Sequence, residues 1–251
     1  MRNLLSQTLL SLILLSSARA LAADEAAPAW GYKGATGPSH WASLSTDFQE
    51  CKVGKVQSPI DIRGAKMADL PAIEFNYQAE PLHIINNGHT IQVNVPPGSS
   101  ITVGGKRYEL VQFHFHHPSE TRLGGQGFPL ELHLVHKDAD GKLAVVAVLL
   151  AEGTANPVLA NIFKYIPAEK GKESAPDGVG VDPTKLLPTN RAYYTFPGSL
   201  TTPPCSEAVT WFVLRSPVRV SKKEVASFAA QYPLNARPDQ PLNGRSVQMT
   251  K

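Results

Sequence analysis

The chain has 251 residues, 42% of them hydrophobic, and a formal net charge of +3. That length suits one large core better than two small domains, and the near balance of charge gives no reason to expect a nucleic-acid or anionic-membrane partner.

Met1-Arg2-Asn3 is a short cationic start, Leu4 to Leu15 an apolar run, and Ala18-Arg19-Ala20 and Ala20-Leu21-Ala22 are small-x-small cleavage sites. This is the pattern of a secretory signal peptide over residues 1–22. A stable membrane span needs about 20 apolar residues, and Ser6, Gln7, Ser11, Ser16 and Ser17 interrupt this run. Cleavage would leave 23–251 as one domain with no membrane anchor, remove two arginines and no acid, and deliver the protein to the periplasm first, the medium second. Cys51 and Cys205 both lie in the exported part, where oxidising conditions favour pairing. Closing a loop of about 150 residues would stabilise by at most on the order of 5 kcal/mol in the chain-entropy account.

From Trp30 to Gln57 the sequence is aromatic, Gly-rich and polar without periodicity, which predicts ordered loops packed on a core. Short β-like runs follow at Ile73 to Tyr77, His83 to Asn86, Thr90 to Val95, Ile101 to Val103, Arg107 to His117, Leu130 to His136, Leu143 to Ala151 and Val209 to Leu214. Helical signals are few. Asn156-Pro157 supplies a cap and a first-turn proline before an apolar stripe of Val158, Leu159, Ile162, Phe163 and Ile166. Ser221-Lys222-Lys223-Glu224 is a capping-box pattern before Val225, Phe228 and Ala229. The chain therefore reads as mainly β with a few short helices and no internal repeat.

Gln112-Phe113-His114-Phe115-His116 and Glu131-Leu132-His133-Leu134-Val135-His136 alternate polar and apolar residues as strands do. Side chains two apart share a strand face, so His114 and His116 point together, and a neighbouring antiparallel strand could add His133. Three imidazoles around one point make the ligand set of a catalytic zinc, which keeps a fourth position open. Gln112 and Glu131 stand where they can accept from the free ring N–H groups of His114 and His133. A cupin offers a rival account, since His114-x-His116-x-x-x-Glu120 with Gly127 is similar to its first motif and would make Glu120 a ligand. No Pro-x-Gly element precedes His133 or His136, so only half of that motif is present.

Trp30-Gly31-Tyr32, Gly37-Pro38, Trp41, Gln57-Ser58-Pro59-Ile60-Asp61-Ile62, Asn86-Asn87-Gly88-His89, Ser119-Glu120, Leu123, Phe128 and Gly198-Ser199-Leu200-Thr201-Thr202-Pro203-Pro204 occur in order. Glu207, Val209-Thr210-Trp211, Asn235-Ala236-Arg237-Pro238 and Gln240-Pro241-Leu242 continue the series. Together these elements resemble the α-class carbonic anhydrases from Trp30 to Arg245. The resemblance implies one domain around a large twisted mixed β-sheet, with Zn2+ on His114, His116 and His133 at the bottom of a cleft. It implies reversible hydration of carbon dioxide to bicarbonate and a proton by zinc-bound hydroxide, with esterase activity as a possible side reaction.

By the same resemblance Thr201 accepts from the nucleophile and donates to Glu120, Asn235 supports the ligands, and His89 shuttles protons. Val135, Val145, Leu200 and Trp211 would form the carbon dioxide pocket, with Thr202 and the Thr201 N–H at the bicarbonate position. Cys51 and Cys205 match the disulfide of extracellular members. The expected partners are small molecules only, and the oligomeric state is monomer or homodimer. Thr121, where many members carry His or Asn, and Phe196, where Tyr is usual, depart from the pattern and predict less hydrogen bonding around the ligands.

Overall fold

In the computed structural model, residues 29–251 are described, and the signal-peptide reading of residues 1–22 lies outside them. A thirteen-stranded sheet organises the described residues. At its centre are β1 (Ile91–Asn94), β2 (Lys106–His116), β3 (Leu130–Lys137), β4 (Leu143–Glu152), β5 (Tyr193–Ser199) and β6 (Glu207–Leu214). Their spatial order is β1-β2-β3-β4-β6-β5, antiparallel except for the parallel β4–β6 pair, so the sheet is mixed as expected.

Both faces of this centre are buried, and residue parity sorts side chains between two cores. On β4, Ala144, Val146, Val148 and Leu150 join one core, while Val145, Ala147 and Leu149 join the other. The first core takes Phe113, Phe115, Leu132, Leu134, Phe212 and Leu214, and the second takes Val209, Trp211 and Val213. Helices α1 (Pro157–Lys164) and α2 (Lys222–Ala229) cover the first face, burying Leu159, Ile162, Phe163 and Phe228.

Both caps form as the sequence predicts. Asn156 Oδ1 accepts from the N–H groups of Val158 and Leu159, and Ser221 with Glu224 closes a reciprocal box. Glu224 Oε1 also accepts from Asn156 N at 2.9 Å, which ties the two helix starts together.

Two features depart from the sequence expectation. The run from Arg107 to His117 predicts one regular strand, but β2 carries a bulge. Val135 pairs Gln112 while His136 pairs Leu110, so Val111 is the extra residue and stands 41% exposed. The extra residue reverses parity. Leu110 and Phe113 can then share the helix-covered core, while Gln112, His114 and His116 all face the other way.

Strand β5 is not among the β-like runs read from the sequence, and it contains Pro197 and Gly198, residue types that weaken strand interiors. It is tolerated because Pro197 lies outside the segment that pairs the outer strand Gln248–Thr250, and the register shifts at Gly198/Ser199. The loops from Trp30 to Gln57 resolve into short helical turns around a fully buried Trp41. No helix among the described residues is long and apolar enough to cross a membrane.

Candidate functional site

His114 and His133 are direct cross-strand partners on β2 and β3, and His116 follows His114 on the same face. The register brings one nitrogen from each ring within 4.8 Å of the others. His114 and His116 each commit the other ring nitrogen to a hydrogen bond, and His133 turns its other nitrogen to a carboxylate. His114 Nδ1 donates to Gln112 Oε1 at 2.8 Å and His116 Nδ1 to the Asn235 carbonyl at 2.8 Å. His133 Nε2 lies 3.0 Å from Glu131 Oε1, a close but bent contact. Those commitments leave Nε2, Nε2 and Nδ1 turned toward one point.

Buried His116 Nε2 has no hydrogen-bond partner. An orphaned imidazole nitrogen among two others is expensive unless something electrophilic completes it, and a three-nitrogen donor set fits zinc. Burial, then the neighbouring imidazole charges, hold His114 well below the usual histidine range, and burial lowers His116. Both rings are therefore neutral, as a ligand must be.

Behind the triad lie two buried carboxyls with different environments. Glu131 Oε2 accepts from the N–H groups of Glu120 and Thr121 at 2.8 and 2.7 Å. Burial alone would raise its pKa, but the neighbouring His133 ring and the hydrogen bonding of Thr121 outweigh burial and hold it below the carboxylate norm. The hydrogen bond from Thr121 to Glu131 comes from its backbone N–H, which a His or Asn at this position would also supply. Phe196 lacks a hydroxyl and instead stacks parallel to Trp211 at 6.2 Å.

Burial pushes Glu120 up to about 7 against the pull of His133, the Arg237 N–H and the Thr201 hydroxyl. Its Oε1 accepts from Arg237 N at 2.8 Å, and the buried Thr201 hydroxyl lies against the carboxyl so as to favour its ionised form.

One wall of the site is apolar. Val145 and Trp211 are in register on β4 and β6, and Val135 pairs Val145 across β3, so all three face the triad side. Leu200 packs against the same cluster. Trp211 meets the His133 ring edge-on at 4.9 Å and donates from Nε1 to Ser199 O at 3.1 Å. Thr202 is half-buried, and its carbonyl accepts from Cys205 N. Cys205 is joined to Cys51 by a disulfide.

The opposite wall is polar, and the sequence reading missed it. Gln92 pairs His114 in register, donates to Asn94 Oδ1 at 2.7 Å and accepts from Asn87 Nδ2 at 3.3 Å. The signal was present in the polar alternation of Gln92 and Asn94 along β1. His89, beyond this wall, is half-buried and stacked on Trp30 at 3.7 Å. Burial and then the charge of Lys170 lower its pKa.

Asn235, fully buried, ties the pieces together. It donates to the carbonyls of His89 and Phe115 and accepts from His117 N, while its own carbonyl holds His116. The remaining histidines stay outside the triad. His117 donates to the Pro233 carbonyl, His83 faces Glu173, and His136 lies in the helix-covered core against Tyr77.

Residues 36–251 match the family model for eukaryotic-type carbonic anhydrase. A carbonic anhydrase of Pectobacterium carotovorum is 48% identical over 220 residues, spanning 87% of this chain and 89% of that protein. One from Nostoc sp. is 44% identical over 223 residues, spanning 87% and 84%. The α-carbonic anhydrase of Thermovibrio ammonificans, solved with the inhibitor sulfanilamide, aligns with a TM-score of 0.85 at 43% identity over 89% of this chain and 99% of that one. Sequence and fold agree along nearly the whole described length, and the chain belongs to the α-carbonic anhydrase family.

Proposed function

We propose that this chain hydrates carbon dioxide reversibly to bicarbonate and a proton, with zinc held by His114, His116 and His133. The observation that carries the reading is the convergence of three imidazole nitrogens, one of them buried and orphaned, beside an apolar wall and a Thr–Glu pair. Zinc in that position supplies Lewis acidity that makes a water nucleophile available near neutral pH.

The protein's own groups do the rest. Gln112, the Asn235 carbonyl and Glu131 take up the second nitrogen of each ring, so the ligating lone pairs are fixed in direction. Glu120 engages the proton of the Thr201 hydroxyl, which leaves that oxygen free only to accept, and it aligns a nucleophile that donates to it. Val135, Val145, Leu200 and Trp211 offer a surface that suits an apolar, uncharged substrate better than an anionic product. Thr202 and the Thr201 N–H are the product-side groups. His89, with a depressed pKa and a half-open ring, carries the released proton to buffer.

The disulfide supports an oxidising compartment, and with the signal pattern of residues 1–22 it favours export to the periplasm. A nucleophile strong enough for carbon dioxide also attacks activated esters, so hydrolysis of a nitrophenyl ester is proposed as a side activity. Specific rates on the two substrates test the ranking: carbon dioxide hydration should exceed ester hydrolysis by orders of magnitude, and the reverse order would make the chain an esterase.

A further inference from the structure

Arg237 is 3% exposed, and uncharged acceptors from separate segments hold its guanidinium. Nη1 donates to Gln57 Oε1 and Ser58 O, both at 2.8 Å, and Nη2 to Cys51 O at 3.0 Å. The cation stands 5.6 Å over the ring of buried Trp41. Gln57 is itself fixed, donating to Cys205 O and Glu207 Oε1 at 3.0 Å. A buried cation without a salt-bridge partner is costly, and an apolar side chain would fill the same volume more cheaply. The arrangement needs a reason other than stability.

The backbone of the same residue supplies one. Arg237 N donates to Glu120 Oε1 at 2.8 Å, fixing the carboxyl that lies beside the Thr201 hydroxyl. We propose that Arg237 is a positioning residue for hydration: its guanidinium anchors the backbone N–H that holds Glu120 against Thr201. The planar fork suits this task, because it reaches acceptors in the Cys51 turn and the Gln57-Ser58 segment at once, whereas an ammonium has no fixed fork geometry. The guanidinium touches no metal ligand and acts on the reaction only through Glu120.

The proposal rests on the carbon dioxide reading, and the test separates the two. Arg237→Gln and Arg237→Lys are made in the parent and in a Glu120→Gln background. Hydration kcat/KM, zinc content, melting temperature and hydrogen exchange of the residue-237 amide are measured on zinc-loaded protein. In the parent background, kcat/KM should fall about 10- to 100-fold while zinc stays bound, and the residue-237 amide should exchange faster. In the Glu120→Gln background the same substitutions should change kcat/KM by less than about twofold, because the group they act through is already gone. Should Arg237→Gln fail to fold, Arg237→Lys carries the comparison. Parent-like kcat/KM in a folded variant, or an equal loss in both backgrounds, would overturn the role of Arg237 and leave the activity standing. A zinc-loaded parent without hydration would overturn both.

Discussion

Each ligand histidine has a different supporting partner, and the partners differ in what their loss exposes. Removing His114, His116 or His133 deletes a donor, so each alanine variant should lose most zinc and activity on metal analysis and hydration assay. Glu131→Ala removes a neighbour of His133 and also strands the N–H groups of Glu120 and Thr121. Zinc affinity or activity should fall about 10- to 100-fold, measured by competition with a chelator. Zinc retention unchanged from the parent would mean that Glu131 serves only the turn at Glu120.

His89→Ala should lower kcat in weak buffer, leave kcat/KM nearly unchanged and recover with added imidazole. Because burial and Lys170 depress its pKa, the kcat limb it governs should lie below the ordinary histidine value of about 6.5. An unchanged kcat in weak buffer would reduce His89 to a turn residue stacked on Trp30.

At the scale of elements, the bulge at Val111 and the strand Tyr193–Ser199 decide what the sequence could reveal. Alternation at Gln112, His114, His116, Glu131 and His133 was legible because these residues lie on the regular side of the bulge, where period two holds. The bulge did leave a mark, which the reading of Arg107 to His117 as one regular strand did not use: Leu110-Val111 are successive apolar residues, and apolar parity passes there from even at Tyr108 and Leu110 to odd at Phe113 and Phe115. Strand β5 contains Pro197-Gly198, residues tolerated there only because of how outer strands are placed. The contacts of Asn235 and Arg237 with residues 117 to 186 positions away depend on chain reversals that no local pattern encodes.

Gly198 shows how tight β5 is. A Cβ there would come within 2.6 Å of Trp211 Cδ1 and press on Ser58 Oγ, both of them hydrogen-bonded neighbours of Ser199. Gly198→Ala should cost about 1–3 kcal/mol and lower kcat/KM together, read from melting and hydration on one sample. A variant with parent-like melting would show that the threonine loop tolerates displacement.

For the whole molecule, the disulfide and a buried histidine set the limits of stability. Cys51→Ser should melt lower yet keep its zinc, because the triad sits on β2 and β3, away from the segments that carry the cysteines. Loss of zinc in that variant would make the bond part of the metal site.

His136, far from the triad face, is fully buried, with Nδ1–H donating to Ala144 O and Nε2 accepting from Tyr77. Burial lowers its pKa to about 3, so the folded state keeps the ring neutral while the unfolded chain takes up a proton near pH 6.5. The contribution is present above about pH 6.5 and is lost as pH falls toward 3, on the order of a few kcal/mol. In His136→Gln the drop in urea midpoint from pH 8 to pH 5 should be smaller than in the parent. An identical drop would place the acid sensitivity elsewhere.

Every role proposed for the site depends on three imidazoles holding a zinc that lets it hydrate carbon dioxide. The most direct test measures metal content and carbon dioxide hydration on the same purified sample, before chelation, after it, and after zinc is returned. About one zinc per chain is expected, with hydration that disappears with the metal and returns with it. A metal-replete sample without zinc, activity restored only by iron or manganese, or hydration that survives zinc removal would contradict it.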